Sequence, residues 1–471
     1  MTAPGHPAVG ERLELTVDDL NHRGEGVGRY DGQVVFVAGG LPGDRLEVRL
    51  QHRGRRHLQA QLLQVLEPSA DRCRPPCILA DDCGGCSLQG LTVEAQRAWK
   101  ADHLAQTLRR IGGLELTPRP ILGAGDGLGY RNRALIPLER RQDGSVRAGY
   151  YRRGSHRIVN MNHCPVLDPR LDHLIAPLKH DLAACDWPID RHLEQGGGLR
   201  HLGLRLGHHS GEVLITLVSS HDQLPQLQEQ AQEWQRRWPQ VVGVGLNLQP
   251  EANNLLLGPH TVVVQGRGWL LERFAGLELE IAADTFFQVH TRQAEAVVPR
   301  LLEALGSSEA HAAHDSGGAA PTGRGRVVDA YCGIGTFALP LAAAGWSVVG
   351  VELQEASVLQ AQANAIRNKL EGHCRFVSAD VPAVLAEHLA AADALFVDPP
   401  RKGLDPRAVA AIRAQPPQRL AYLSCDPATL ARDLAQLCGG EEAPYRLAWV
   451  QPFDFFPHTN HVESLAALVR R

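Results

Sequence analysis

The tetrapeptide Ser424-Cys425-Asp426-Pro427 follows the apolar run RLAYL, and the segment Phe456-Pro457-His458-Thr459-Asn460-His461-Val462-Glu463 lies downstream of it. A thiol just past a strand can attack an electron-poor carbon, and Glu463, flanked by two histidines, is an acid/base candidate. Carbon 5 of a uracil ring is too weakly nucleophilic to take a methyl group directly. A thiolate added at carbon 6 makes an enolate whose carbon 5 can attack an electrophilic methyl, and a base must then remove the carbon 5 proton so that the thiolate can leave. One nucleophile and one base are the minimum kit, and Cys425 with Glu463 provide it. Most free cysteines are small buried hydrophobes; the strand-end position and the downstream segment set Cys425 apart.

A second constellation begins at Asp329-Ala330-Tyr331-Cys332-Gly333-Ile334-Gly335-Thr336, which follows a strand and opens a helix. Gly333 and Gly335 let the backbone approach a ligand closely, and a helix N-terminus offers free N–H groups. Glu352 ends the next strand, VVGVE, where a carboxylate can accept both ribose hydroxyls. Asp380 ends the third strand, placed for an adenine amine, and Asp398 ends the fourth. Acidic residues at successive strand ends weigh more than a lone glycine turn. NAD is the competing nucleotide, but the turn has two glycines and lacks the third of the dinucleotide fingerprint. Together with Cys425 and Glu463 the pattern favours S-adenosylmethionine.

Of ten cysteines, four crowd between Cys73 and Cys86. Cys77, Cys83 and Cys86 fall in a C-x5-C-G-G-C run whose glycines permit a tight wrap, and Cys164, in NMNHCPVLD, is the natural fourth ligand. By spacing alone, four thiolates suit structural zinc or a [4Fe–4S] cluster equally. Cys73 is a surplus neighbour, Cys185, Cys374 and Cys438 read as core residues, and Cys332 has no catalytic role.

The elements that must position these groups follow from pattern. At 471 residues the chain is multidomain. Residues 1–67 read as short strands punctuated by glycines, with Asp31-Gly32 as a hairpin turn, and form a small β-barrel. Residues 68–270 form a mixed α+β domain carrying the cysteines, opened by a helix over Leu91–Ile111. Residues 271–471 alternate apolar strand runs with helical segments, the pattern of a Rossmann-like α/β domain with a parallel sheet. Within it, residues 306–326 are a Gly/Ala/Ser-rich flexible insert.

Hydrophobic content of 44% and charged content of 21% are those of a globular protein. No stretch approaches the length of a bilayer-spanning helix, and the N-terminus lacks the pattern of a signal peptide, so the cytoplasm is the expected compartment. Net charge is −4, which excludes a uniformly basic nucleic-acid binder. Locally the balance reverses: thirteen Lys/Arg face five Asp/Glu between Arg97 and Arg157, and Arg45, Arg49, Arg53, Arg55 and Arg56 form another cluster. Such local fields suit a phosphate backbone. Gly129-Tyr130-Arg131-Asn132-Arg133 and Tyr150-Tyr151-Arg152-Arg153 interleave aromatics with arginines, and Arg131 and Arg133 are candidate RNA contacts.

These motifs resemble those of the RNA 5-methyluridine methyltransferases that modify 23S ribosomal RNA, over nearly the whole chain. The resemblance implies that Asp329 to Gly335 carry the cofactor, that Cys425 is the nucleophile and that Glu463 is the base. The Asp-Pro-Pro-Arg loop matches Asp398 to Arg401. Phe286-Phe287-Gln288-Val289-His290 matches a segment in which Phe286 would stack near the target base and Gln288 would touch the cofactor; His290 departs from the usual Asn, and Thr336 from a frequent amide. The resemblance also implies a TRAM domain for the N-terminal barrel and a [4Fe–4S] cluster on Cys77, Cys83, Cys86 and Cys164. The expected partner is ribosomal RNA presenting a flipped uridine from a structured loop to a monomeric enzyme.

Transfer RNA is the runner-up substrate. A DNA cytosine-5 methyltransferase would need Pro-Cys and Glu-Asn-Val segments, and neither is present. An amino-group methyltransferase would place an aromatic where Arg401 stands. A non-catalytic RNA-binding protein is the reading from another class, and retention of the cofactor turn, Cys425 and Glu463 weighs against it.

Overall fold

The computed structural model describes residues 7–193, 196–253, 255–306 and 324–471. The expected flexible insert, except at its ends, lies outside the described residues. The chain divides into two compact units, the first made of residues 1–100, 150–159 and 456–460, the second of 101–149, 160–455 and 461–471.

In the first unit, β1 (Arg12–Leu20), β2 (Gly26–Tyr30), β3 (Gln33–Ala38), β4 (Arg45–Arg53) and β5 (His57–Glu67) close into a barrel in the order β1-β2-β3-β5-β4. Every second side chain points inward: Leu13, Leu15 and Val17 of β1 and Leu46, Val48 and Leu50 of β4 are buried, while Arg12, Glu14, Arg45 and Arg49 face out. The β2–β3 turn places Asp31 at φ 45° and Gly32 at φ 79°, the left-handed pair that a two-residue hairpin demands. The cysteine-rich stretch is fastened to this barrel through Arg72. Its guanidinium donates to the fully buried Asp44 and to the Gly39 carbonyl. Burial disfavours the Asp44 carboxylate, yet the Arg72 bonds and the amides of Ser69 and Leu41 hold its pKa below the usual range. Leu20, Leu41, Leu88, Leu91 and Trp99 pack beneath the stretch. Helix α1 (Val93–Gly112) begins in this unit.

In the second unit, β6 (Arg133–Arg140), β7 (Val146–Ala148), α2 (Pro169–Ala184), β8 (Leu199–Leu206), β9 (Val213–Ser219), α3 (Leu227–Arg237), β10 (Val241–Leu248) and β11 (His260–Gly266) build a sheet of order β11-β10-β9-β8-β6-β7. A hairpin of β12 (Trp269–Phe274) and β13 (Leu277–Ala282) leads to α4 (Thr291–Ala304). The remainder alternates: β14 (Arg326–Ala330), α5 (Ala338–Ala343), β15 (Ser347–Glu352), α6 (Glu355–Arg367), β16 (Cys374–Ser378), α7 (Val381–Leu389), β17 (Ala394–Val397), α8 (Pro406–Ala414), β18 (Arg419–Ser424), α9 (Pro427–Cys438), β19 (Tyr445–Phe453) and β20 (Glu463–Arg470). These strands form a seven-stranded sheet of order β16-β15-β14-β17-β18-β20-β19, parallel from β16 to β18 and antiparallel at β20 and β19. One face packs Val328, Val351, Leu395 and Leu420 against helices including α1, through Leu104 and Leu108. The parallel strands therefore share one carboxyl edge, where ligands bind in such sheets. Among the described residues no helix is long and apolar enough to cross a membrane.

Candidate active site

Strand register brings the two chemical candidates together. β18 and β20 pair Leu423 with Leu465 and Ser424 with Ser464, the end of the ladder, so Cys425, just after β18, and Glu463, the first residue of β20, come to the same end of it. The corner holding Cys425 is fixed by its neighbours. Asp426 caps α9, its Oδ1 accepting the Thr429 amide at 2.8 Å, and Pro427 starts the helix where a missing N–H costs nothing. Cys425 is half-buried; burial first, then the charge of Glu463, pushes its thiol up to about 12, and the Arg401 guanidinium pulls the other way. Glu463 is buried, and desolvation followed by the nearby Asp398 holds its carboxyl well above the usual range, again opposed by Arg401. Burial raises Asp398 to about 7. A thiol, two carboxyls sharing one desolvated site and a single exposed arginine thus form one electrostatic group. Such spreading of pKa values is how proton donors and acceptors are set apart.

The turn after β14 stands at the same edge. Tyr331, Gly333 and Gly335 all have positive φ, 72°, 54° and 85°. A Cβ at Gly333 would meet open space, whereas one at Gly335 would press on Leu339 at 3.2 Å, so the first glycine is open to a ligand and the second packs the helix. Glu352 accepts the Gly333 amide at 3.2 Å and the Gln354 amide at 2.9 Å, which locks its carboxylate beside the turn. Asp329 lies buried beneath, its carboxyl raised by desolvation and by Asp398 and Glu352. This cradle, an open glycine turn flanked by strand-end carboxylates, fits the nucleoside and amino-acid parts of S-adenosylmethionine. Asp380 is exposed and pairs with Arg407 at 3.3 Å, a surface pair weak enough to be exchanged for a ligand.

Phe286 is 57% exposed while its neighbour Phe287 is buried edge-on against Phe274. Gln288 is buried, and its main-chain carbonyl accepts from Asn132 Nδ2, which also reaches Thr291 Oγ1. His290 caps α4 by accepting the Gln293 amide and stacks on Tyr130 with ring centres 4.9 Å apart; burial lowers its pKa to about 4, so the ring is neutral. A neutral imidazole accepting at Nδ1 does here what an asparagine cap would do. Arg131 donates to the Arg133 carbonyl, and Arg133 turns toward the Ala283 carbonyl and Asp284. Spacing in the chain did not single out Arg401, Asn132 or Glu272. Glu272 is fully buried and accepts the His208 and His209 amides, a bond pattern with no sequence signature.

Cys77, Cys83 and Cys86 are half-buried in the first unit, and Cys164 is buried in the second. The Leu79 and Gly85 amides donate to the sulfurs of Cys77 and Cys83, each at 3.4 Å, the bonding that ligating thiolates accept. A Cβ at Gly84 would lie 2.9 Å from the Tyr151 carbonyl, so glycine is required for the loop to close. The donor chemistry of the three first-unit cysteines suits thiolate ligation; among the described residues no group of three His, Cys, Asp or Glu side chains is gathered as metal ligands. Cys73 donates toward the Gln89 carbonyl, and Cys438 is buried.

Comparison with known proteins adds an independent line. Residues 383–471 match the tRNA (Uracil-5-)-methyltransferase family, and residues 8–63 match the TRAM domain. An uncharacterized RNA methyltransferase of Parasynechococcus marenigrum is 51% identical over 464 residues, covering 98% of this chain and 97% of that protein. Another, from Synechocystis, is 46% identical over 460 residues, covering 98% and 96%. Pyrococcus abyssi tRNA (uracil-54, C5)-methyltransferase, solved with S-adenosyl-L-homocysteine, superposes with a TM-score of 0.74 at 25% identity, covering 97% of this chain and all of that one.

Proposed function

The chain belongs to the RNA uracil-C5 methyltransferase family and carries its TRAM domain, and from that premise we propose that it methylates carbon 5 of a specific uridine in 23S ribosomal RNA, through a covalent bond between Cys425 and uracil carbon 6. The observation that carries this reading is that Cys425 and Glu463 meet at one end of the β18–β20 ladder, with Asp398 and Arg401 acting on both.

Arg401 favours the Cys425 thiolate, which attacks carbon 6; the carbon 5–carbon 6 electron pair moves into the carbonyl as an enolate. Gln288, Tyr331, Gly333, Gly335, Glu352, Asp380 and Asp398 would hold S-adenosylmethionine, which would supply an electrophilic methyl group to carbon 5, its sulfur–methyl bond breaking and S-adenosylhomocysteine leaving. Glu463, as carboxylate, then removes the carbon 5 proton. The electrons of that C–H bond restore the ring double bond as the carbon–sulfur bond breaks, and Cys425 is returned. Burial makes Glu463 a strong proton acceptor, and the Arg401 guanidinium favours its ionised form. Phe286 offers an exposed ring for the flipped base, and Arg131 and Arg133 are read as RNA contacts.

Cys77, Cys83, Cys86 and Cys164 are assigned as ligands of a [4Fe–4S] cluster, with a folding role and no redox step; anaerobically purified protein should carry about four irons per chain. The enzyme is read as a cytoplasmic monomer. Transfer RNA is the competing substrate, because the solved relative acts on it. The deciding experiment maps 5-methyluridine in ribosomal and transfer RNA from cells with and without this gene. Loss at one 23S uridine is expected. Loss only in transfer RNA moves the substrate, and transfer that survives Cys425→Ser overturns the mechanism.

A further inference from the structure

β12 and β13 form a sheet of two strands, so β13 has an outer edge with no strand beside it. Main-chain groups on such an edge must find partners elsewhere. Here α6 and its C-cap residue, Asn368, supply them from side chains. The Ala282 amide donates to Gln360 Oε1 at 3.1 Å, the Glu280 amide to Asn364 Oδ1 at 2.7 Å and the Glu278 amide to Asn368 Oδ1 at 3.0 Å. Asn364 and Asn368 each return a bond from Nδ2, to the Glu280 and Glu278 carbonyls at 3.2 and 2.7 Å. The match is geometric: four residues of helix rise about 6 Å, close to the about 6.8 Å spanned by two residues of strand. Amide side chains four apart on one helix face therefore stand in for a third strand. Arg367 adds ion pairs to Glu278 and Glu280.

Asn364 differs from the other two. It is fully buried, and its Nδ2 donates a second bond, at 3.2 Å, to the carbonyl of Ile334, the residue between Gly333 and Gly335. The corresponding Asn368 bond goes back to the Asn364 carbonyl of its own helix. The glycine turn is thus gripped at its Gly333 amide by Glu352 and at its Ile334 carbonyl by Asn364. β13 leads into Thr285, whose Oγ1 donates to Gln360 Oε1 at 3.0 Å, and then to the exposed Phe286 and the buried Gln288. One side chain therefore joins the turn to the strand that delivers both. We propose that Asn364 is a positioning residue through which occupancy of the cofactor turn stiffens β13 and the arm that follows it, so that the methyl donor prepares the platform for the target base.

This inference rests on the reading of the Gly333–Gly335 turn as the S-adenosylmethionine cradle. Binding of S-adenosyl-L-homocysteine to the full chain, measured by calorimetry, tests it. Asn364→Ala should weaken binding about tenfold, because a turn no longer held must be ordered by the ligand itself. Asn368→Ala removes the same pair of bonds to β13 without touching the turn, and should leave the affinity unchanged. Equal losses in the two variants, or none in Asn364→Ala, overturn the proposal. Hydrogen exchange supplies a readout that packing alone does not move. In wild type the ligand should slow exchange of the β13 amides and leave β11, the edge strand of the six-stranded sheet, unchanged. In Asn364→Ala the slowing at β13 should vanish. Slowing that is equal at β13 and β11, or absent at β13, overturns the coupling. Should Asn364→Ala fail to fold in a thermal melt, the wild-type exchange pattern decides alone. Wild-type protein that does not bind S-adenosyl-L-homocysteine overturns the cofactor reading and this inference with it. Binding without the β13 response overturns only the role of Asn364.

Discussion

A thiol pushed by burial up to about 12 is almost entirely protonated at neutral pH, and Arg401 is the group that opposes this. Removing the cation raises the thiol further, and each pKa unit lowers the thiolate fraction tenfold. Arg401→Gln should slow adduct formation about tenfold, a deficit that stays constant between pH 7 and 9 while both rates rise, because both thiols titrate above that range; single-turnover gels across pH would read it. A flat pH response of the variant would remove Arg401 from this role. Glu463→Gln should trap the adduct, because the amide cannot accept the proton. Cys425 and Glu463 were picked out in the sequence because their side-chain types fit one reaction and Cys425 follows an apolar strand run. Arg401 was visible there only as part of a matched loop, since its influence on groups in two other segments depends on the folded edge. His290 looked like a departure, yet as a neutral helix cap it accepts the Gln293 amide, a bond that an asparagine at a helix cap can also accept.

At the level of elements, local chemistry was readable and long-range insertion was not. Asp31-Gly32 announces its hairpin through backbone demands that few other pairs meet. The placing of β20 between β18 and β19 has no local signal, because adjacency in the sheet skips chain order. The Arg72–Asp44 fastening is equally silent in sequence, and it carries a stability prediction. Breaking a buried pair strands a charge, so Asp44→Ala should cost about 3 kcal/mol in urea unfolding at pH 7. Asp44 has a folded pKa below its unfolded value, so its contribution is present above about pH 4 and is lost as pH falls through the folded pKa. The gap between wild type and Asp44→Asn should accordingly narrow in acid; a gap that widens would assign the stabilisation elsewhere.

Across the whole molecule, a net charge of −4 conceals basic stretches whose effect depends on where they are displayed. Arg49, Arg53, Arg55 and Arg56 are exposed on and after β4 of the barrel. If they contact phosphates, replacing all four with glutamine should raise KM, leave kcat nearly unchanged, and flatten the log–log salt dependence by about 0.7 per lost contact. Equal slopes for both proteins would place the RNA elsewhere. The alternating strand and helix runs made the α/β sheet readable in advance. The return of residues 150–159 and 456–460 to the barrel's unit was not, because such contacts join segments far apart in the chain. The slot that β20 occupies has one more consequence. During synthesis Cys425 emerges before Glu463, and chains fold as they emerge. On the proposed mechanism, a polypeptide in which β20 has not yet entered its slot holds an attacking sulfur without the base that lets it go, so turnover waits for that strand.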